Sequence, residues 1–60
     1  MLVMLDNPSS KYNAALFETK VKIHAKDKAW YTFVYADDEF FTLLDKKGEE
    51  IRSNRIWVQR

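Results

Sequence analysis

The sequence DDEFFTLLDKKG at residues 37–48 decides between two folds for this chain. As a helix, it would begin at Asp37 and end before Gly48, with acids in its first turn and Lys in its last. As a strand, residues 39–44 would run into a type I turn at residues 45–48 that is closed by a left-handed glycine. Phe-Phe-Thr is poor helix material, and the Asp-x-x-Gly turn joins two apolar runs. The sequence therefore favours the strand.

Strand-like segments lie on both sides of this stretch. Residues 49–53 would return antiparallel to it, and residues 56–58 (IWV) would form a last strand after a tight turn. Before it, residues 29–36 (AWYTFVYA) are β-branched and aromatic and apolar on both faces, as expected of a central strand. Residues 17–25 alternate between apolar and polar side chains, which predicts a half-buried strand. Residues 1–5 are apolar and long enough for one more short strand.

The segment between the first two predicted strands is ambiguous. Residues 6–10 (DNPSS) are a cluster of turn-forming residues. Ser9 or Ser10 could cap a helix of one to two turns that ends near Leu16, because Tyr12 and Leu16 are spaced for one helical face. An irregular loop is an equal alternative at this point.

These elements predict one all-β domain over residues 1–60, built as a small five-stranded SH3-like barrel or an antiparallel meander. Closure into a barrel would remove exposed sheet edges. Residues 48–58 resemble the end of such barrels, where a one-turn 3₁₀ segment precedes the last strand. The resemblance is to an architecture and implies no function. The alternative is an α+β fold, with a short helix at about residues 9–17 or 38–47 packed on an antiparallel sheet.

Composition argues against most chemistry. The 60 residues include no Cys, one Gly and one His, which excludes disulfides, thiolate zinc sites and Gly-rich phosphate loops. His24 has no oriented partner for nucleophilic catalysis, and the acids at residues 37–39 lack a second set of metal ligands. We therefore expect no enzyme activity, no cofactor and no metal.

No apolar run is long enough to span a bilayer, and residues 1–10 lack the features of a signal peptide, so we expect a cytoplasmic protein.

Charge is distributed in blocks along the chain. Residues 18–28 carry four Lys against two acids, residues 37–50 six acids against two Lys, and residues 51–60 three Arg. The first block contains KVKIHAKDK at residues 20–28, in which alternate positions are basic. On one strand face these side chains would follow phosphates at intervals of about 6.6 Å, so they are the candidate contacts for single-stranded nucleic acid. A solvated strand face is the favoured interpretation of the same residues: Lys20, Lys22, His24, Lys26 and Lys28.

Large aromatic side chains point to a partner. Seven rings between residues 30 and 57 are more than so small a core easily covers, and Trp and Tyr are frequent interface anchors. The sequence therefore predicts a non-enzymatic binding module that occludes a protein partner, as small regulators and inhibitors do, phage-encoded ones among them. Nucleic-acid binding is the alternative. The sequence supports self-association, as a dimer, and a monomeric state equally. The predicted partner-binding residues are Trp30, Tyr31, Trp57 and Phe40.

Overall fold

A computed structural model describes residues 1–60 and contains six strands and one helix. The sequence indicated six strand-like segments, with residues 49–53 separate from residues 56–58, and each contains a strand, so the five-stranded count is one too low. No 3₁₀ turn precedes the last strand, so that prediction is wrong: the chain only bends at Asn54, where the Ser53 hydroxyl accepts the Arg55 N–H at 3.2 Å. The elements are β1 (Leu2–Leu5), α1 (Tyr12–Leu16), β2 (Lys20–Lys22), β3 (Tyr31–Ala36), β4 (Phe41–Leu44), β5 (Glu50–Ser53) and β6 (Ile56–Gln59).

The ambiguous stretch at residues 37–48 is a strand between two side-chain-stabilised turns. At its start, the Asp37 carboxylate accepts the N–H groups of Glu39 and Phe40, both at 2.7 Å. At its end, Asp45 accepts the Gly48 N–H at 3.1 Å through its carbonyl, and Gly48 has a φ of 83°. The predicted turn with a left-handed glycine is therefore confirmed. The alternative helix at residues 38–47 is wrong, since β4 occupies Phe41–Leu44.

All strand pairs are antiparallel, in the order β1-β6-β2-β3-β4-β5. Strands β2 to β5 form the predicted meander, and β6 inserts between β1 and β2. Only two residues connect β5 to β6, a reach of about 11 Å, whereas four strand spacings in a flat sheet would separate them by about 19 Å. The sheet must therefore curl strongly to bring the two strands together. It remains open at β1 and β5, so the prediction of a closed barrel is wrong.

The concave side of the curled sheet holds the core. Eight residues are buried, and none of them is polar. A β-bulge in β3 inserts Val34 between two core positions, so that Phe33 and Ala36 both point inward although they are three positions apart. The rest of the core comes from the helix and from strands β2, β4 and β6: Leu16, Val21, Phe41, Leu43, Ile56 and Val58.

The helix α1 covers one end of this core, which matches the alternative of a short helix within residues 9–17. Neither serine caps it through its side chain; instead the carbonyls of Ser9 and Ser10 accept the N–H groups of Tyr12 and Asn13. The helix packs on β3, and the Tyr12 ring lies 5.8 Å from that of Phe41. Its five residues are too few for a helix that could cross a membrane.

Asn13 attaches this helix to the sheet. Its side-chain oxygen accepts the Ala36 N–H at 2.6 Å, and its amide donates to the Ala36 carbonyl at 3.0 Å. Asn13→Ala would leave both backbone groups unpaired in a partly buried place, so we expect a loss of about 2–3 kcal/mol in the free energy of unfolding. Urea denaturation measures it. Asn54→Ala, at an exposed bend, is the control and should change the midpoint little.

Strand β2 is much shorter than the predicted strand over residues 17–25. Phe17 was expected to point inward, but it follows the helix and its side chain is 63% exposed. Glu18 then takes a left-handed φ of 60°, which re-aims the chain, and the extended segment begins only at Lys20. It ends at Lys22, because the next residues form a turn. Among the residues of 17–25 that the alternating pattern placed inward, only Val21 is fully buried.

Candidate macromolecule-binding surface

Four side chains, three from strands and one from the residue before β3, lie in one line on the convex face of the sheet. Met4 of β1 is opposite Trp57 of β6, and Trp57 is opposite Lys22 of β2. The Lys22 ammonium lies 4.8 Å from the centre of the Trp30 ring, which immediately precedes β3. Side chains at paired positions share a face, and the core partner of β2, Val21, points the other way. We call Met4, Trp57, Lys22 and Trp30 the outer row.

Each indole of the outer row is covered on one side by a basic group. Lys22 lies over Trp30 at a distance at which an ammonium is attracted by the ring quadrupole. The His24 ring packs against Trp57, with 5.5 Å between centroids and a 47° tilt. Both indoles are partly buried, and Met4 is 46% exposed. The result is a supported apolar surface with the Lys22 ammonium on it, which remains accessible to a macromolecule.

A cleft adjoins the outer row at Trp30. It encloses about 340 Å³, within the range of sites that hold a small group. Lys20 and Thr32, which are paired across β2 and β3, form its convex-face wall. Its remaining lining residues come from the start of β3 and from the end of β4: Trp30, Tyr31, Leu44, Asp45 and Lys46.

The four predicted partner-binding residues separate in the structure. Trp30 and Trp57 both belong to the outer row. Tyr31 is opposite the buried Val21 and packs against the core, so its ring lies on the concave side. Phe40 lies beyond the far end of β3, a strand of six residues or about 20 Å, and is 39% exposed. The two tryptophans therefore form one surface, and Phe40 lies apart from it.

The predicted basic row is only partly a row. Lys20 and Lys22 lie on β2 and point to the convex face. Beyond them the chain turns, because the His24 carbonyl accepts the Asp27 N–H at 3.0 Å and the His24 ring nitrogen accepts the Lys26 N–H at 3.2 Å. A single extended row with phosphate spacing, running from Lys20 to Lys28, is therefore wrong.

Tyr31 lies among acidic groups at the mouth of the cleft. Partial removal from water raises the pKa of its phenol, and the carboxylate charges of Asp27 and Asp45 raise it further. Asp27 is itself fixed by accepting the Ala29 N–H at 2.9 Å. The phenol therefore stays neutral at physiological pH, where it can donate a hydrogen bond.

The acids at residues 37–39 lie at the far end of β3, away from the outer row. Asp37 serves the turn, since its carboxylate accepts two backbone N–H groups. No group of three or more metal-ligating side chains converges anywhere in the chain. The charge nearest the two indoles on the convex face is consequently that of Lys20 and Lys22.

The turn at Asp37 predicts how the stability of the fold depends on pH. Backbone N–H groups of Phe40 and then Glu39 hold the pKa of Asp37 below its usual value. Because the pKa is lower in the folded state, the carboxylate stabilises the fold fully above its unfolded pKa of about 3.9, and this is lost as the pH falls through the folded pKa. We expect Asp37→Asn to flatten the acid limb of a plot of melting temperature against pH. Asp38→Asn, at the exposed neighbouring residue, should leave that limb steeper than Asp37→Asn does.

Sequence reasoning missed two contributors to this surface. Met4 was assigned only to a short apolar strand, and Lys46 only to a turn. Met4 reaches Trp57 because β6 inserts beside β1, a pairing of residues more than fifty positions apart. No local pattern signals such a pairing. Lys46 could have been placed near Trp30 from the β3–β4 hairpin, because Trp30 precedes β3 and Lys46 follows β4 at the open end of that hairpin.

Comparison with protein-family models, with curated proteins and with solved structures gave no significant match for this chain.

Proposed function

We propose that the chain is a cytoplasmic, non-enzymatic binding module that attaches to another protein through the outer row and regulates or inhibits that protein by covering part of its surface. The observation that carries this proposal is the line of Met4, Trp57, Lys22 and Trp30 on the convex face. Two indoles held in place by neighbouring strands lose little conformational entropy on binding, which is typical of interface anchors.

The charges around the anchors indicate the chemistry of the partner. Lys20 and Lys22 lie beside the indoles, whereas the acidic turn at residues 37–39 lies at the other end of β3. An acidic partner with an apolar patch would therefore be steered to this face and held away from the opposite end. Its carboxylates would meet Lys22 and Lys20, and its apolar side chains would meet Met4 and the tryptophans.

One feature supports a second candidate, single-stranded nucleic acid. Lys20 and Lys46 line the cleft beside Trp30, so a phosphate and a stacked base could occupy neighbouring positions there. Asp45 lines the same cleft and opposes this use, since its carboxylate would repel a phosphate. A protein partner would be anchored on the indoles of the outer row rather than inside the cleft, so it is the better supported of the two.

Capture from a cell lysate, divided into nuclease-treated and untreated halves, tests the proposal. The expected result is one stoichiometric protein that survives nuclease, is retained by Tyr35→Ala and is lost with Trp57→Ala. Tyr35 is the matched control, because it is an aromatic residue that is 52% exposed and lies outside the outer row. Capture that disappears with nuclease, and that weakens steeply between about 50 and 200 mM salt, would favour nucleic acid and contradict the proposal.

A further inference from the structure

Strand β1 has a free edge whose backbone groups can be assigned. The Arg60 N–H donates to the Met1 carbonyl at 2.9 Å, and the Met1 nitrogen donates to the Arg60 carbonyl at 3.3 Å. In an antiparallel pair such doubly bonded positions recur at every second residue, so Val3 and Leu5 also bond to β6. Leu2 and Met4 therefore direct their N–H and C=O groups away from the sheet, where no other strand pairs with them.

The two edges of the sheet differ in how they oppose further pairing. On β5, Glu50 and Arg52 stand at the corresponding outward-bonding positions, and their charged side chains lie 3.9 Å apart. Charged residues on an edge discourage the addition of another strand. Residues Leu2–Leu5 of β1 carry no charge and no proline. Only the β1 edge is therefore unprotected.

We propose that β1 pairs antiparallel with β1 of a second copy of this chain, with Leu2 opposite Met4 of the second copy and Val3 opposite Val3 of the second copy. This register uses every free backbone group of Leu2 and Met4 and forms four hydrogen bonds about a two-fold axis. The two open sheets become one continuous sheet of twelve strands. The arrangement needs no partner other than the chain itself, because the edge is complementary to its own copy.

The side chains agree with this occupant. Leu2 and Met4 lie on the convex face, so each Met4, which is 46% exposed, would pack beside Leu2 of the second copy and be covered. No like charges meet within the paired segment. The pairing also joins the outer rows of the two copies into one longer apolar surface. It does not depend on the proposed function, since it rests on the edge alone.

The small size of the contact sets its strength. Pairing of one four-residue strand with its copy covers less than the roughly 1,200–2,000 Å² of a standard stable interface. The dimer should therefore dissociate on dilution within the micromolar range. Sedimentation equilibrium of the unaltered chain over that range should give a mass that rises from 7.2 kDa towards twice that value.

Single cysteines test the register, because the chain has none of its own. Same-residue Cα atoms at Val3 would be about 4.5 Å apart, within disulfide reach. Those at Leu2 would be diagonal neighbours at roughly 7–8 Å, which is too far. Under mild oxidation, Val3→Cys should give a covalent dimer at least tenfold faster than Leu2→Cys. Equal rates, or a faster reaction at Leu2, would overturn the register.

A charge at the edge tests the pairing without a cross-link. Met4→Lys should weaken dimerisation at least tenfold, whereas Thr32→Lys adds the same charge to the convex face on an interior strand and should not. Both positions are exposed, so both variants should fold, as circular dichroism would check. A wild-type mass of 7.2 kDa at every concentration would overturn the dimer. The dimer would also be overturned if Val3→Cys, oxidised in a cell lysate, formed disulfides with other proteins and none with its own copy.

Discussion

Replacing Phe41 with alanine should leave a large fraction of the chain unfolded at room temperature. Phe41 is fully buried, and the centre of its ring lies 6.2 Å from that of Phe33 in β3 and 5.8 Å from that of Tyr12 in α1. Truncation of such a residue costs about 3–5 kcal/mol, because the transfer free energy is lost and a cavity remains. A chain of 60 residues has a total stability of only about 3–9 kcal/mol, so the loss is comparable with the whole.

The adjacent residue provides the control. Phe40 has the same side chain but is 39% exposed and lies in the turn before β4. Phe40→Ala should therefore cost well under half as much as Phe41→Ala. Urea denaturation of both variants, followed by tryptophan fluorescence, measures the difference. Equal losses would mean that Phe41 does not form the junction between helix and sheet that its contacts indicate.

The pair also illustrates what local sequence could and could not predict. Turn chemistry was readable, since Asp45 and Gly48 occupy the positions that a type I turn with a left-handed glycine requires. That turn was enough to choose strand over helix for residues 37–48. Which of the two phenylalanines is buried depended on where β4 begins, and boundaries are set by tertiary contacts such as those of Tyr12.

The topology could not be predicted for a different reason. Insertion of β6 between β1 and β2 pairs residues from opposite ends of the chain, and no neighbouring residues encode it. The prediction of a barrel assumed that closure would remove the edges, whereas the uncharged edge of β1 remains open. The bulge at Val34 was also invisible to a strict period of two, which would place Ala36 outside.

The sequence could predict several residues of the candidate surface, but not which of them lie next to one another. Lys22 and Trp30 share a parity in the sequence, and they do meet, but across the β2–β3 pair rather than along one strand. Trp57 joins them only through the position of β6. Alternation along a strand therefore identified which side chains face outward, and the non-local pairing determined which of these lie together.

Trp57→Ala should weaken the proposed protein complex by about 30- to 1,000-fold, the range expected when a central anchor worth about 2–4 kcal/mol is removed. Trp57 lies at the middle of the outer row, between Met4 and Lys22, and supports the His24 ring. Its loss would remove apolar contact and the platform for a basic group together. Trp30→Ala, at the end of the row, should have a smaller effect.

Isothermal titration calorimetry with the captured partner measures both affinities, and Tyr35→Ala is the control for loss of an exposed ring. Circular dichroism must show that Trp57→Ala is folded, since Trp57 is partly buried. Lys20→Glu with Lys22→Glu separates the two candidate ligands. An acidic protein anchored on the indoles should then bind less tightly mainly through a slower association rate, which salt also reduces. Single-stranded nucleic acid should lose nearly all of its affinity, because phosphate neutralisation supplies most of it.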